Sequence, residues 1–204
     1  KLPDGGEIDT SDPDHWSLPV GTKLWKQFVV DGVVVETRLV WRVGPGPNDF
    51  VLAPYQWAAD GSDAVLVPNG VADANGTKHD IPATSQCVAC HGYLSERSLG
   101  FSAVQLDHDG PGVTLAQLTK DGRVSKPIAP VVVPGDPATI AALGYLHANC
   151  GNCHNPTGIA FATPFDLRLR TSEPTVASTG VCTRPRSAHP PRNPVVKCLR
   201  CCHT

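Results

Sequence analysis

The 204-residue chain contains no methionine, even at position 1, and only 12 aromatic side chains. No apolar run approaches the roughly 18 residues that a membrane-spanning helix needs, and no secretory leader is present. Its 23 C-terminal residues hold no acid at all, while five of its 17 Lys and Arg lie there. The first 181 residues therefore carry 12 basic against all 19 acidic side chains, with no basic stripe suited to nucleic acid. With 19 Gly and 20 Pro, turns are expected to outnumber long helices. A 41% hydrophobic content is enough for a core in one medium domain or two small ones.

Chemistry concentrates in two short motifs. Cys87-Val88-Ala89-Cys90-His91 and Cys150-Gly151-Asn152-Cys153-His154 both read C-x-x-C-H, the pattern by which two thiols add to the vinyl groups of a haem and the next His meets its iron. Three blander readings compete. One zinc on four thiolates usually has its pairs about 15–20 residues apart, whereas Cys90 and Cys150 are 60 positions apart. A thioredoxin-type pair needs a βαβ setting, and none is visible. A structural disulfide remains open. Neither zinc nor a disulfide explains a His directly after both pairs. The expected cofactors are thus two covalently attached haem c groups, held by Cys87, Cys90, Cys150 and Cys153, with His91 and His154 as iron ligands. Covalent haem attachment is extracytoplasmic chemistry, so a periplasmic or extracellular site is expected, with the export signal outside this sequence.

The chain reads as α+β. Thr22–Val30 and Val33–Val43 flank Asp31-Gly32, a two-residue hairpin signal. In the second strand Val33, Val35, Thr37, Leu39, Trp41 and Val43 alternate with Glu36, Arg38 and Arg42, which predicts one apolar and one polar face. Phe50–Trp57 and Ala64–Val67 are two further strands. All four Trp precede residue 58 and are assigned to the sheet core. The segment 14–68 lacks Cys and is expected to close on itself. Residues 1–20 read as irregular and turn-rich, with His15 exposed or capping. After a turn-rich linker at 68–86, a short helix starting near Ala83 carries the first motif. Ala103–His108 and Thr114–Lys120 are short helices, and residues 122–135 are extended. Asp136-Pro137 is a strong helix start, predicting an amphipathic helix from Ala138 to about Asn149 that delivers the second motif. The expected organisation is a β-rich subdomain at 1–80, a mainly α, cytochrome c-like haem region with long loops at 81–181, and an atypical basic tail at 182–204.

The run Tyr145-Leu146-His147-Ala148-Asn149-Cys150-Gly151-Asn152-Cys153-His154-Asn155-Pro156 resembles the haem-binding segment of a family of exported bacterial dihaem c-type cytochrome-like proteins. The Phe28–Leu39 hairpin, Asp63–Pro68 and Asp80-Ile81-Pro82 are similar to it too, so that the resemblance spans roughly residues 7–180. It implies chain on both sides and a Met-containing ligand segment downstream. This sequence departs there: it has no Met, and the likeness stops near Gly180. Beyond it, Cys198-Leu199-Arg200-Cys201-Cys202-His203 holds a C-x-x-x-C-H. The tail is read as a disordered or out-of-frame segment in preference to a third haem site or a metal or disulfide knot.

Without Met, a sixth iron ligand from this chain must be another His, a weaker group, or nothing. His108, His147 and His79 are the first candidates, with His15 and His189 behind them, and at least one bis-His haem is expected. The expected function is electron transfer with a redox partner protein. The alternatives are a dihaem peroxidase-type enzyme with an open distal site, for which no catalytic Arg/His constellation can be placed, and a docking module in which the haems are secondary.

Overall fold

The computed structural model describes residues 1–94, 96–163, 165–173 and 175–181. The tail motif and His189 lie outside the described residues. The fold is α+β, with one four-stranded antiparallel sheet and four short helices among the described residues. Among the described residues no helix is long and apolar enough to cross a membrane.

The sheet is a meander of β1 (Lys23–Val30), β2 (Val33–Arg42), β3 (Phe50–Trp57) and β4 (Ala64–Leu66), paired in sequence order. Asp31 and Gly32 turn the first hairpin with φ of 50° and 81°. Two successive positive φ values make the turn whose twist matches that of the strands, and Gly at the second position adopts it without strain. Register runs from Lys23 opposite Trp41 to Val30 opposite Val33, with a bulge between Phe28 and Val29.

The expected two-faced alternation of β2 fails at its centre. Val35, Glu36 and Thr37 are consecutive and all buried, and Glu36 has no exposed surface. A carboxylate is buried only with partners, and Glu36 has two. Its Oε1 accepts from Arg38 Nε at 2.5 Å, its Oε2 accepts from Arg38 Nη2 at 2.9 Å, and His79 Nε2 lies 2.7 Å from Oε2. Period two predicted the faces of the strand. It did not predict that the polar face would be covered.

Assigning all four Trp to the sheet core is also corrected. Trp25 is half exposed, and Trp57 donates from Nε1 to Thr37 Oγ1 at 2.8 Å. Trp16 lies before the sheet, in a second core with Ile8, Leu18, Ala103, Leu106, Leu115 and Leu118. Phe101 meets it edge-on at 5.7 Å between ring centroids. This core joins the leading segment to α2 (Ala103–Leu106) and α3 (Leu115–Lys120), and Ile8 bridges to Val124 in parallel. A cut at residue 80 would divide it, and the 14–68 segment does not close on itself, because Trp16 and Leu18 are buried against chain beyond residue 100.

Two further helices carry the motifs. Helix α1 (Thr84–His91) contains the whole of the first, and Gln86 Oε1 accepts from the Ala83 amide at its start. Helix α4 (Pro137–Asn149) begins as the sequence dictates, with Asp136 accepting from the Thr139 amide at 2.8 Å and Pro137 in the first turn. The expected amphipathic pattern is absent. Only Leu143 is buried, while Ile140 and Tyr145 are exposed. Ala, Ile, Leu and Tyr surround the helix on all sides, so no single stripe selects a core face.

Candidate functional site

The two motifs reach their geometry by different routes. In the first, Cys87, Cys90 and His91 stand three and four residues apart on one helix, and such positions share a face. Cys87 is half-buried and Cys90 is exposed. Burial pushes the Cys87 thiol up, opposed by the Arg38 guanidinium. In the second, Cys150 caps the C-terminus of α4, and the amides of Cys153 and His154 both donate to the Cys150 carbonyl, at 3.0 and 2.8 Å. All four motif cysteines are free thiols.

The motif histidines share one arrangement. His91 Nδ1 lies 2.5 Å from the Arg97 carbonyl oxygen, which can only accept, so Nδ1 carries the proton. His154 Nδ1 lies 2.9 Å from Thr163 Oγ1. The Thr163 hydroxyl donates to the Ala160 carbonyl at 2.7 Å, so Thr163 receives the His154 Nδ1 proton. Both rings thereby present Nε2 as a free lone pair. A metal-binding His is oriented in this way, its second nitrogen donating to a carbonyl or hydroxyl. Burial pushes the His91 pKa down, which keeps the ring neutral.

The supporting residues escaped sequence reading. Arg97 holds its carbonyl toward His91 with φ at +54°, a conformation rarely taken by residues with a side chain. Its guanidinium is tied to Asn48 Oδ1 and to the Pro47 carbonyl, which anchors the post-motif loop to the β2–β3 turn. Arg42 and Glu96 form a second anchor, an ion pair that also binds Ser17 and Leu18. Asn155 is buried and staples the second motif. Its amide nitrogen donates to the Gly151 and Asn152 carbonyls at 2.8 and 3.1 Å, and its Oδ1 accepts from Thr157. A buried Asn immediately after C-x-x-C-H, followed by Pro156, is a signal that could have been found.

The chain then folds back over the motif. The Ala160 amide donates to the Cys153 carbonyl and the Leu167 amide to the His154 carbonyl. Gly151 and Gly158 allow this close approach. A Cβ on Gly151 would stand 2.8 Å from the His147 carbonyl oxygen and 2.9 Å from that of Leu167. Gly151→Ala is therefore expected to destabilise the chain by about 1–3 kcal/mol, the range for overpacking. Urea unfolding would measure it, and an unchanged midpoint would show that the return strand gives way freely.

The two motifs are near enough to influence one another. Burial pushes the Cys153 thiol up, and the Cys90 thiol acts on it in the same direction. Sequence separation gave no hint of this proximity. Among the described residues no group of three or more His, Cys, Asp or Glu side chains converges as a metal centre, so the four thiols are not gathered into one tetrahedral cage.

Among the described residues, each candidate distal ligand has one ring nitrogen engaged by a neighbour. His79 binds Glu36 through Nε2 and stacks against Phe28 at 5.2 Å. His108 is exposed beyond the end of α2, where its Nδ1 accepts from the Gly110 amide at 2.9 Å. The helix it was expected to close ends at Leu106. His147 Nδ1 accepts from the Leu169 amide at 2.9 Å, leaving Nε2 buried and protonated. His15 pairs with Asp12 at the surface.

Large apolar side chains stand exposed around both motifs: Val88 and Tyr93 at the first, Tyr145, Ile159, Phe161 and Phe165 at the second. Such concentrations mark surfaces that are covered by something else. The chain matches no protein-family model, no curated protein and no solved structure.

Proposed function

We propose that the protein is an extracytoplasmic dihaem c-type cytochrome that carries electrons, of the exported bacterial cytochrome-like kind that its second motif resembles. The observation that carries this reading is the twofold repetition of one arrangement. Each pair of free thiols is followed by a His whose Nδ1 proton is engaged and whose Nε2 is free. A disulfide gives no reason for either histidine to be held so.

The residues fit the group. Cys87 and Cys90 would hold one haem and Cys150 and Cys153 the other, with His91 and His154 as the proximal ligands. The exposed apolar side chains about each motif would line the porphyrin faces and exclude water. When bound, haem supplies a one-electron iron couple whose potential follows its ligands, burial and nearby charge. The chain's own contribution is orientation. The Arg97 carbonyl and the Thr163 hydroxyl hold the two imidazoles in the ligating tautomer and raise their basicity. Arg38 and Lys26 act on His91 and favour its neutral form. The juxtaposition of Cys90 and Cys153 supports a short path between the two haem edges. The redox partner is a protein docking near these edges.

The test is intact mass together with pyridine haemochrome quantitation on chain exported through a haem-attachment pathway. The expected result is two covalent haems per chain and reversible reduction. A mass equal to the bare polypeptide would overturn the proposal.

A further inference from the structure

Four polar side-chain atoms among the described residues are buried without a hydrogen-bond partner: Trp16 Nε1, Ser102 Oγ, His147 Nε2 and Arg168 Nη2. They come from the leading segment, the start of α2, the body of α4 and the segment that returns over the second motif. The four residues that carry them line the same cavity, of about 70 Å³, beside the second motif.

Their protons make the cluster one-sided. Trp Nε1 and the guanidinium can only donate. His147 Nδ1 accepts from the Leu169 amide, so its Nε2 bears a hydrogen. The Ser102 hydroxyl has its proton free to join them. Arg168 is half-buried and makes no ion pair at contact distance among the described residues; Asp166 acts on it only through space, and its Nη1 reaches His15 Nε2 at 3.5 Å. Of the acids that line the same cavity, Glu96 is held by Arg42, Ser17 and Leu18, and Asp14 accepts from the Thr171 amide through Oδ1 while its charge also acts on His147. Buried donors without acceptors are unfavourable. One water has two lone pairs to offer four donors, whereas a carboxylate has about four acceptor sites. The cavity holds roughly the volume of two waters, which suits one carboxylate group and excludes a whole macrocycle.

We propose that Trp16, Ser102, His147 and Arg168 form a binding site for a single carboxylate, supplied either by a propionate of a haem on the second motif or by a small free carboxylate anion. The propionate source rests on the haem reading above, whereas the free source does not. In either case His147 serves as a hydrogen-bond donor and not as an iron ligand.

The experiment uses the full chain produced with and without haem attachment, with acetate titrated calorimetrically against a chloride control. Arg168→Gln and Trp16→Phe are the variants, and the Phe keeps the ring while removing the donor. Haem-free wild type is expected to bind acetate, and each variant to weaken that binding at least tenfold. Because Arg168 makes no ion pair at contact distance and its Nη2 makes no hydrogen bond, Arg168→Gln is expected to melt no lower than wild type in the haem-free chain. If the loaded chain no longer binds acetate, and Arg168→Gln shifts its propionate bending bands in resonance Raman spectra, the carboxylate is the haem's. If the loaded chain binds acetate as tightly as the haem-free chain, it is a free anion. Absence of acetate binding in both forms, with Raman bands unmoved by Arg168→Gln, overturns the site. Where the haem-free chain shows no melting transition, the loaded chain alone decides. A chain that takes up no haem but binds acetate sinks the cytochrome reading and keeps the site.

Discussion

Replacing Cys150 and Cys153 together by alanine is expected to remove one of two covalent haems, so that intact mass falls by a single haem and the haemochrome absorbance per chain halves. Cys87→Ala with Cys90→Ala should do the same for the other site, and the fourfold variant should be colourless after acid-acetone extraction. The expectation follows from the independence of the two attachment points. The first pair sits on α1, and the second lies on the terminal turn of α4, stapled by Asn155. In the proposed dihaem form each pair of thioethers would depend on its own motif's thiols, while each imidazole is oriented by its own partner, Arg97 in one case and Thr163 in the other. One linkage between them is the influence of Cys90 on Cys153. Alanine at Cys153 removes that neighbour without altering the Cys87–His91 geometry along α1. If the double variant retained two haems, the second motif could not be an attachment site. If it lost both, the motifs would fold as one unit around their neighbouring thiols.

The second large effect is on stability. Glu36→Ala is expected to cost about 3–5 kcal/mol, the range for removing one partner from a buried ion pair. The carboxylate has no exposed surface, and it satisfies two donors of Arg38 and one nitrogen of His79. Arg38 is only partly exposed, and its guanidinium lies over the Phe28 ring at 4.2 Å, so it has little freedom to reach water. Removing Glu36 leaves that cation and the His79 ring without their acceptor. For a chain of this length the loss corresponds to roughly a 10 °C fall in melting temperature, read by circular dichroism. Glu36→Gln keeps the volume and one acceptor oxygen, and should cost less. A melting temperature unchanged by Glu36→Ala would mean that Arg38 and His79 find other partners. Because Arg38 and Glu36 both act on Cys87, the same variant should also alter how readily that thiol is alkylated in the haem-free chain.

Local signals were legible where the residue itself dictates the backbone. Asp31-Gly32 set the first hairpin, and Asp136-Pro137 set the start of α4. The four strands and the three helices Thr84–His91, Leu115–Lys120 and Pro137–Asn149 fall within a residue or two of expectation, because turn chemistry and capping act over only three or four positions. The fate of each face was not legible in the same way. The alternation read for β2 breaks at its centre, where Glu36 is buried because Arg38 and His79 come to it, and His79 is 43 residues away. Trp16 looked like part of a sheet and is instead the centre of a core completed by residues beyond 100.

The sequence by itself determined the chemistry: two C-x-x-C-H motifs, the absence of any methionine, and the short strands and capped helix that present them. These properties lie in the covalent order of the residues and in interactions between near neighbours. Only the tertiary structure decided which groups those motifs meet. It brought Cys90 near enough to act on Cys153, turned the Arg97 carbonyl and the Thr163 hydroxyl toward the two imidazoles, and placed four residues with unpartnered polar atoms, from separate segments, around one cavity. The physical reason is that a hydrogen bond or a buried charge is satisfied by whatever packing brings within about 3 Å, and nothing in the spacing of a motif records which distant segment that will be.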